Sequence, residues 1–126
     1  MLRTAMPLTA TLGMTFERYE RDEVRARIEW SPELCTSGGV LHGGVVMALA
    51  DSAGAANAFL NLPEGATGTT TVESSTRFLR AVRAGAVEAR ARPVHVGRTL
   101  VVVETDVIDS SERLVAKVIQ SQLVFT

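Results

Sequence analysis

Val45-Val46-Met47-Ala48-Leu49-Ala50-Asp51-Ser52-Ala53-Gly54-Ala55-Ala56-Asn57-Ala58-Phe59-Leu60 is the stretch that decides the fold. It holds no proline, its one glycine is Gly54, and Ala, Leu and Met, all good helix formers, dominate it. Asn61-Leu62-Pro63-Glu64-Gly65 then stops the helix. Its polar residues are few: Asp51, Ser52 and Asn57. Apolar side chains surround the axis, and a helix apolar nearly all round is buried nearly all round. In a chain of 126 residues, either a sheet wraps the helix or a second subunit covers it.

The flanking segments supply the sheet. From Tyr19 to Trp30 the pattern alternates, with Val24, Ala26, Ile28 and Trp30 on one side and Arg25, Arg27 and Glu29 on the other. Period two marks a half-buried strand. Ser31-Pro32 ends it, because proline has no amide hydrogen for the ladder. Cys35 to Gly44, with Gly38, Gly39, Gly43 and Gly44, reads as a loop. Beyond the helix, strands are expected over Thr69–Leu79, Val87–Val96, Thr99–Ile108 and Leu114–Phe125. Gly85, Gly97 and Asp109-Ser110-Ser111-Glu112 mark the turns between the later ones. A short helix is expected before Gly13. The fold class is α+β, and the whole chain, 1–126, reads as one domain.

Composition narrows the function. The chain is 46% hydrophobic and 21% charged, enough to build a core. Thirteen basic against fourteen acidic residues leave no basic surplus, and aromatics are only 5%, which argues against nucleic-acid binding. A single cysteine, Cys35, allows no intramolecular disulfide and no cysteine-based zinc site, and two histidines make no metal cage. The first ten residues lack the continuous apolar core of a secretory signal. Asp51 and Ser52 interrupt the longest apolar stretch, so no membrane span is expected. The expected compartment is the cytoplasm.

The segment Gly39-Val40-Leu41-His42-Gly43-Gly44, with Asp51 nine positions after the histidine, resembles the signature of hotdog-fold acyl-CoA thioesterases. It is similar to the branch of phenylacetic-acid-degradation and 4-hydroxybenzoyl-CoA thioesterases. Thr76-Arg77-Phe78-Leu79-Arg80-Ala81, His95-Val96-Gly97-Arg98-Thr99 and Leu114-Val115-Ala116 extend the resemblance over nearly the whole chain. It implies an antiparallel sheet wrapped around one central helix, hydrolysis of an acyl-CoA, and coenzyme A as part of the substrate with no separate cofactor. It also implies a homodimer with shared active sites, arranged as a dimer of dimers in a homotetramer.

The chemistry follows from the residues as well. A helix N-terminus presents free amide hydrogens and partial positive charge. With no side chain in the way, the Gly43 amide can approach a thioester carbonyl and stabilise oxyanion charge, with Gly44 beside it. A carboxylate in an apolar helix is costly to bury, so Asp51 either has a compensating partner, such as an arginine or a hydrogen bond, or faces a cleft. There it can act as general base on water or attack the thioester directly. Gly43 and Asp51 are eight residues apart, about 12 Å along a helix. That is too far for one carbonyl, so Gly43 of one chain is expected to meet Asp51 of another across a two-fold axis. The resemblance implies the same composite site.

His42 either orients the substrate or its leaving sulfur, or holds the loop around Gly43. Relatives carry Asn or Gln six residues before this histidine, where this chain has Thr36, whose shorter hydroxyl cannot replace an amide. Relatives also place Ser or Thr near the carboxylate at the start of the next strand. Matching Phe78 to the relatives' pattern favours Thr70 among Thr69, Thr70 and Thr71. Arg77, Arg80, Arg83 and Arg98 are candidates for the coenzyme A phosphates, with Arg80 and Arg98 preferred for their places beside strand ends. His95, Glu104 and Cys35 are read as structural or incidental. The competing functions are a hotdog dehydratase or hydratase and a non-catalytic acyl-CoA-binding module, because a fold alone does not choose an activity.

Overall fold

A computed structural model describes residues 6–126. The elements run α1 Pro7–Thr11, β1 Thr15–Tyr19, β2 Val24–Glu29, α2 Gly43–Leu60, β3 Gly68–Phe78, β4 Ala86–Val96, β5 Leu100–Asp109 and β6 Leu114–Phe125. Helix α1 is the short helix expected before Gly13, while Met1–Ala5 lie outside the described residues. The six strands form one antiparallel sheet in the order β1-β2-β4-β5-β6-β3.

Tyr19–Trp30, expected as a single strand, is instead the second half of a hairpin. The chain turns at residues 20–23, where Glu20 N–H donates to Glu23 O at 3.1 Å, and β1 runs back along β2. Strand β1 is an edge strand with a register shift between Phe16 and Arg18. Its burial therefore does not alternate, and the period-two signal is lost.

The core lies between α2 and the inner face of the sheet. Val24, Ala26 and Ile28 of β2, Val87, Ala89 and Ala91 of β4, Val101, Val103 and Val107 of β5, and Val118 of β6 are all buried. Val46, Leu49, Ala50 and Ala53 meet them from the helix. Helix α2 packs across β2, β3, β4, β5 and β6. Its C-terminal end is tied to the first hairpin, where Asn57 Nδ2 and Asn61 Nδ2 both donate to Arg21 O, at 3.1 and 2.8 Å.

One chain does not bury the helix all round. Met47 is 43% exposed and Phe59 55%, and Asp51 is exposed between them. Steps of four residues put Met47, Asp51, Ala55 and Phe59 on one open stripe. The outer face of the sheet is also divided. Glu88, Arg90, Glu104, Asp106 and Lys117 make a paired, charged half. Val94, Val96, Leu100, Ile119, Leu123 and Phe125 expose an apolar half.

The β5–β6 turn is held by Asp109. Its carboxylate accepts from the backbone N–H of Ser111 and of Arg113, each at 2.9 Å, and from Arg113 Nε at 3.0 Å. Burial pushes its pKa up, but the two amides and the guanidinium outweigh that and hold it below the ordinary carboxylate value. A group with a depressed folded pKa stabilises above its unfolded pKa, and that contribution is lost as pH falls through the folded value. Asp109→Asn is expected to lower Tm near neutral pH. The gap to wild type should close on acidification below about pH 4. Thermal denaturation across pH checks this, and a gap constant down to the acid end would assign the stabilisation to something other than the charge.

Candidate active site

Residues 31–42 bring the chain to the N-terminus of α2. Gly38 and Gly39 have φ of 79° and 72°, a backbone that a side chain would strain. Trp30 Nε1 donates to Gly39 O at 3.0 Å, Leu41 N–H to Val82 O at 2.8 Å, and His42 N–H to Leu34 O at 2.9 Å. The loop is thus fixed from both sides before the helix begins.

His42 caps α2. Its Nδ1 accepts from Gly44 N–H at 2.8 Å, so the neutral ring carries its proton on Nε2, a donor. The amides of Val45 and Val46 both reach His42 O, at 2.9 and 3.2 Å. Of these first-turn donors, Gly43 N–H alone has no partner among the described residues. Gly44, expected beside Gly43 among the substrate-binding residues, has its N–H occupied by the cap. Gly44 matters through its missing side chain, since a Cβ there would lie 2.9 Å from His42 Nδ1.

Gly43 opens onto a cleft of about 350 Å³ lined by Thr36, Val46, Phe78, Arg80 and Val82 among others. Three expected site residues, Thr36, Gly43 and Arg80, therefore meet there. The Phe78 ring would lie 3.3 Å from a Cβ on Gly43, so it covers that side of the helix start. A second depression of about 380 Å³, near Arg27, Glu88, Arg90 and Glu112, lies on the charged outer face. Its charges pair with one another, Arg90 with Glu88 at 2.7 Å and with Glu112 at 3.3 Å.

Asp51 sits two helical turns on, on the open stripe. Its compensation comes from neutral donors of the sheet and not from an arginine. Thr71 Oγ1 donates to Asp51 Oδ1 at 2.9 Å, and Gln120 Nε2 donates to the same oxygen at 3.1 Å. Gln122 Nε2 in turn donates to Thr71 Oγ1, and Thr69 Oγ1 donates to Gln122 Oε1 at 2.9 Å. Asp51 Oδ2 has no partner among the described residues.

The expected threonine is displaced by one position. Thr70 pairs with exposed Leu123 and faces outward, whereas Thr71 pairs with buried Gln122 and faces the helix. The cause is a bulge, because the register shifts between Thr71 and Glu73 and leaves Val72 as an extra residue. Matching the relatives' pattern through Phe78 carries the position back across that bulge and lands on the wrong face. Arg80 and Arg98 also fail to converge within one chain. Arg80 N–H bonds Val115 O at the start of β6, while the Arg98 turn lies beside Val124 at its end. Nine strand residues separate these levels, about 30 Å. Cys35 Sγ donates to Ser31 O at 3.3 Å, and Glu104 pairs with Lys117 at 2.8 Å.

Gln120 and Gln122 are not singled out by the sequence, Thr71 is passed over for Thr70, and Phe78 serves there only as a landmark. The signal for the glutamines was there. Ala116, Val118 and Val124 fix the buried phase of β6, and Gln120 and Gln122 fall on it.

One long helix held against an antiparallel sheet, with an open amide at its start and a carboxylate on its free face, places the molecule among the hotdog-fold enzymes that act on thioesters. The chain belongs to the Thioesterase superfamily, whose family model matches residues 38–116. It is 32% identical over 118 residues to "Putative esterase Rv1847" of Mycobacterium tuberculosis, covering 92% of this chain and 84% of that one. It is 29% identical over 111 residues to the 1,4-dihydroxy-2-naphthoyl-CoA hydrolase of Listeria monocytogenes, covering 86% and 88%. The crystal structure of a Haemophilus influenzae thioesterase superposes with a TM-score of 0.89 at 29% identity, over 94% of this chain and 82% of that one.

His42→Ala removes the cap on Gly44 N–H. It is expected to destabilise the protein by about 1 kcal/mol, as for other N-cap truncations. Chemical denaturation measures this, and an unchanged midpoint and slope would show that solvent replaces the imidazole without cost.

Proposed function

We propose that the chain hydrolyses acyl-CoA thioesters to the free acid and coenzyme A. The observation that carries this reading is the presence, on one open helix, of a Gly43 N–H and an Asp51 Oδ2 that both lack a partner among the described residues. The Gly43 amide accepts developing oxyanion charge from the thioester carbonyl, aided by the helix dipole. Asp51 takes a proton from water as the water oxygen attacks the carbonyl carbon. The C–S bond then breaks and coenzyme A leaves as the thiolate. Direct attack by Asp51 would give the same products through an anhydride that water opens.

The apolar lining of the cleft, with Val46, Phe78 and Val82, suits an aryl or medium-chain acyl group. Thr36 lines that cleft, Thr71 takes the place first assigned to Thr70, and His42 Nε2–H is left as a donor toward substrate. Arg80, beside the cleft, is the guanidinium for a coenzyme A phosphate, and Arg98 can serve the same nucleotide only from another subunit. The relative named as a naphthoyl-CoA hydrolase supports a coenzyme A substrate. Replacing Asp51 by Asn should preserve the fold and lower kcat at least about 10²-fold, read as thiol release from a panel of acyl-CoAs. Turnover near wild type would remove Asp51 from the chemistry, and no hydrolysis of any acyl-CoA by wild type would favour a binding module.

The site is shared between two copies of the chain. Gly43 and Asp51 are about 12 Å apart along α2, and the Met47–Phe59 stripe lies open where a second helix would cover it. The apolar half of the outer sheet supplies a second surface, which suits a dimer of dimers. Mixing Asp51→Asn with Gly43→Val subunits tests this. After subunit exchange each heterodimer combines both defects at one site and leaves the other intact, so up to about half of the sites should recover activity. Proven heterodimers without activity would place the whole site within one chain.

A further inference from the structure

Gln120 is a buried polar side chain beside Asp51, at 1% exposure, and its carbonyl Oε1 has no hydrogen-bond partner among the described residues. Stability alone does not explain an amide placed this way. A buried carbonyl without a donor is costly, and a methionine of similar volume would avoid that cost. The helix makes room for it. A Cβ on Gly54 would lie only 2.0 Å from Oε1 and 2.6 Å from Cδ of Gln120. Gly54 is thus a notch in α2, and the end of the Gln120 side chain occupies it. Gly54 follows Asp51 by three positions, so the notch lies one turn on from the carboxylate, at the buried edge of the helix next to it. With Oε1 in the notch, Nε2 is turned to Asp51 Oδ1 at 3.1 Å and lies 3.4 Å from Thr71 Oγ1.

We infer that the Gly54 notch and Gln120 form a positioning device for Asp51, which pins Oδ1 and leaves Oδ2 aimed at the reacting water or carbonyl. Gln120 does not touch substrate. It acts through the carboxylate, and Gln122 supports the same arrangement by donating to Thr71. This rests on Asp51 performing the chemistry, as proposed above.

Two variants far apart in sequence should then produce one defect. Gln120→Met keeps the volume and removes the amide. Gly54→Ala fills the notch, and because Oε1 ends a flexible side chain, the glutamine swings away from Asp51 with little damage to the fold. Alanine also favours a helix over glycine. With benzoyl-CoA or hexanoyl-CoA, whichever wild type turns over faster, each variant should lower kcat about tenfold. That is the size of one lost hydrogen bond to a charged group. KM should stay within about twofold, and Tm should be equal or higher. The double variant should be no slower than the slower single one, since both changes remove the same contact. Unchanged kcat in Gln120→Met overturns the inference. So does a fall in kcat that tracks a fall in Tm, or losses that multiply in the double variant. The Asp51→Asn enzyme separates the two levels. If it retains turnover, the reading of Asp51 itself fails, whereas if it is inactive and Gln120→Met is not slowed, only the positioning role fails.

Discussion

The closeness of α2 to the sheet governs the rest of this structure. A helix can lie within hydrogen-bond reach of strand side chains only where its own side chains are small. Ala50, Ala53, Gly54 and Ala58 form much of the buried side of α2, and Ala89, Ala91 and Ala116 answer from the sheet. The same contact that fills the core brings Asp51 against Thr71 and Gln120. Larger residues along that seam would raise the helix, and the carboxylate would lose its donors before the core lost its shape. Packing and chemistry are therefore one constraint here, which is why a polar network can sit directly beside an apolar core.

The broad plan was legible in the sequence because periodicity is a direct imprint of burial. Val24, Ala26 and Ile28 alternate because one face of β2 is dry, and the run from Val45 to Leu60 is rich in alanine because it crosses a sheet. The His42-Gly43-Gly44 start of the helix and the place of Asp51 within it were legible for the same local reason. What escaped was set by pairing between distant strands. Edge strand β1 carries a register shift and shows no alternation. The bulge at Val72 changes which threonine meets Asp51, and no property of Thr69-Thr70-Thr71 itself reveals it. Arg80 and Arg98 both lie beside strand ends, but only the sheet order shows that those ends are opposite ones.

The partition of surface is equally informative. A helix stripe with Met47 and Phe59 lies open on one side, and a group of valine, leucine, isoleucine and phenylalanine lies open on the other side of the sheet. A charged ladder separates that second patch from the rest of the outer face, with Lys117 between Glu104 at 2.8 Å and Asp106 at 3.0 Å. Such internally satisfied charges hold little attraction for a partner and cost little to leave in water, so they mark the part of the sheet that stays free.

Strand order also dictates when the site can exist during synthesis. β6 is the last strand made, yet it lies between β5 and β3, and both glutamines of the Asp51 network belong to it. The β4–β5–β6 meander closes by short turns, whereas β3 finds its neighbour only through pairings such as Gly68 with Phe125. Contacts between positions so distant form late, because the loop they close must first lose its freedom. On the ribosome, α2 and Thr71 therefore emerge well before Gln120 and Gln122, the donors that complete the network around Asp51.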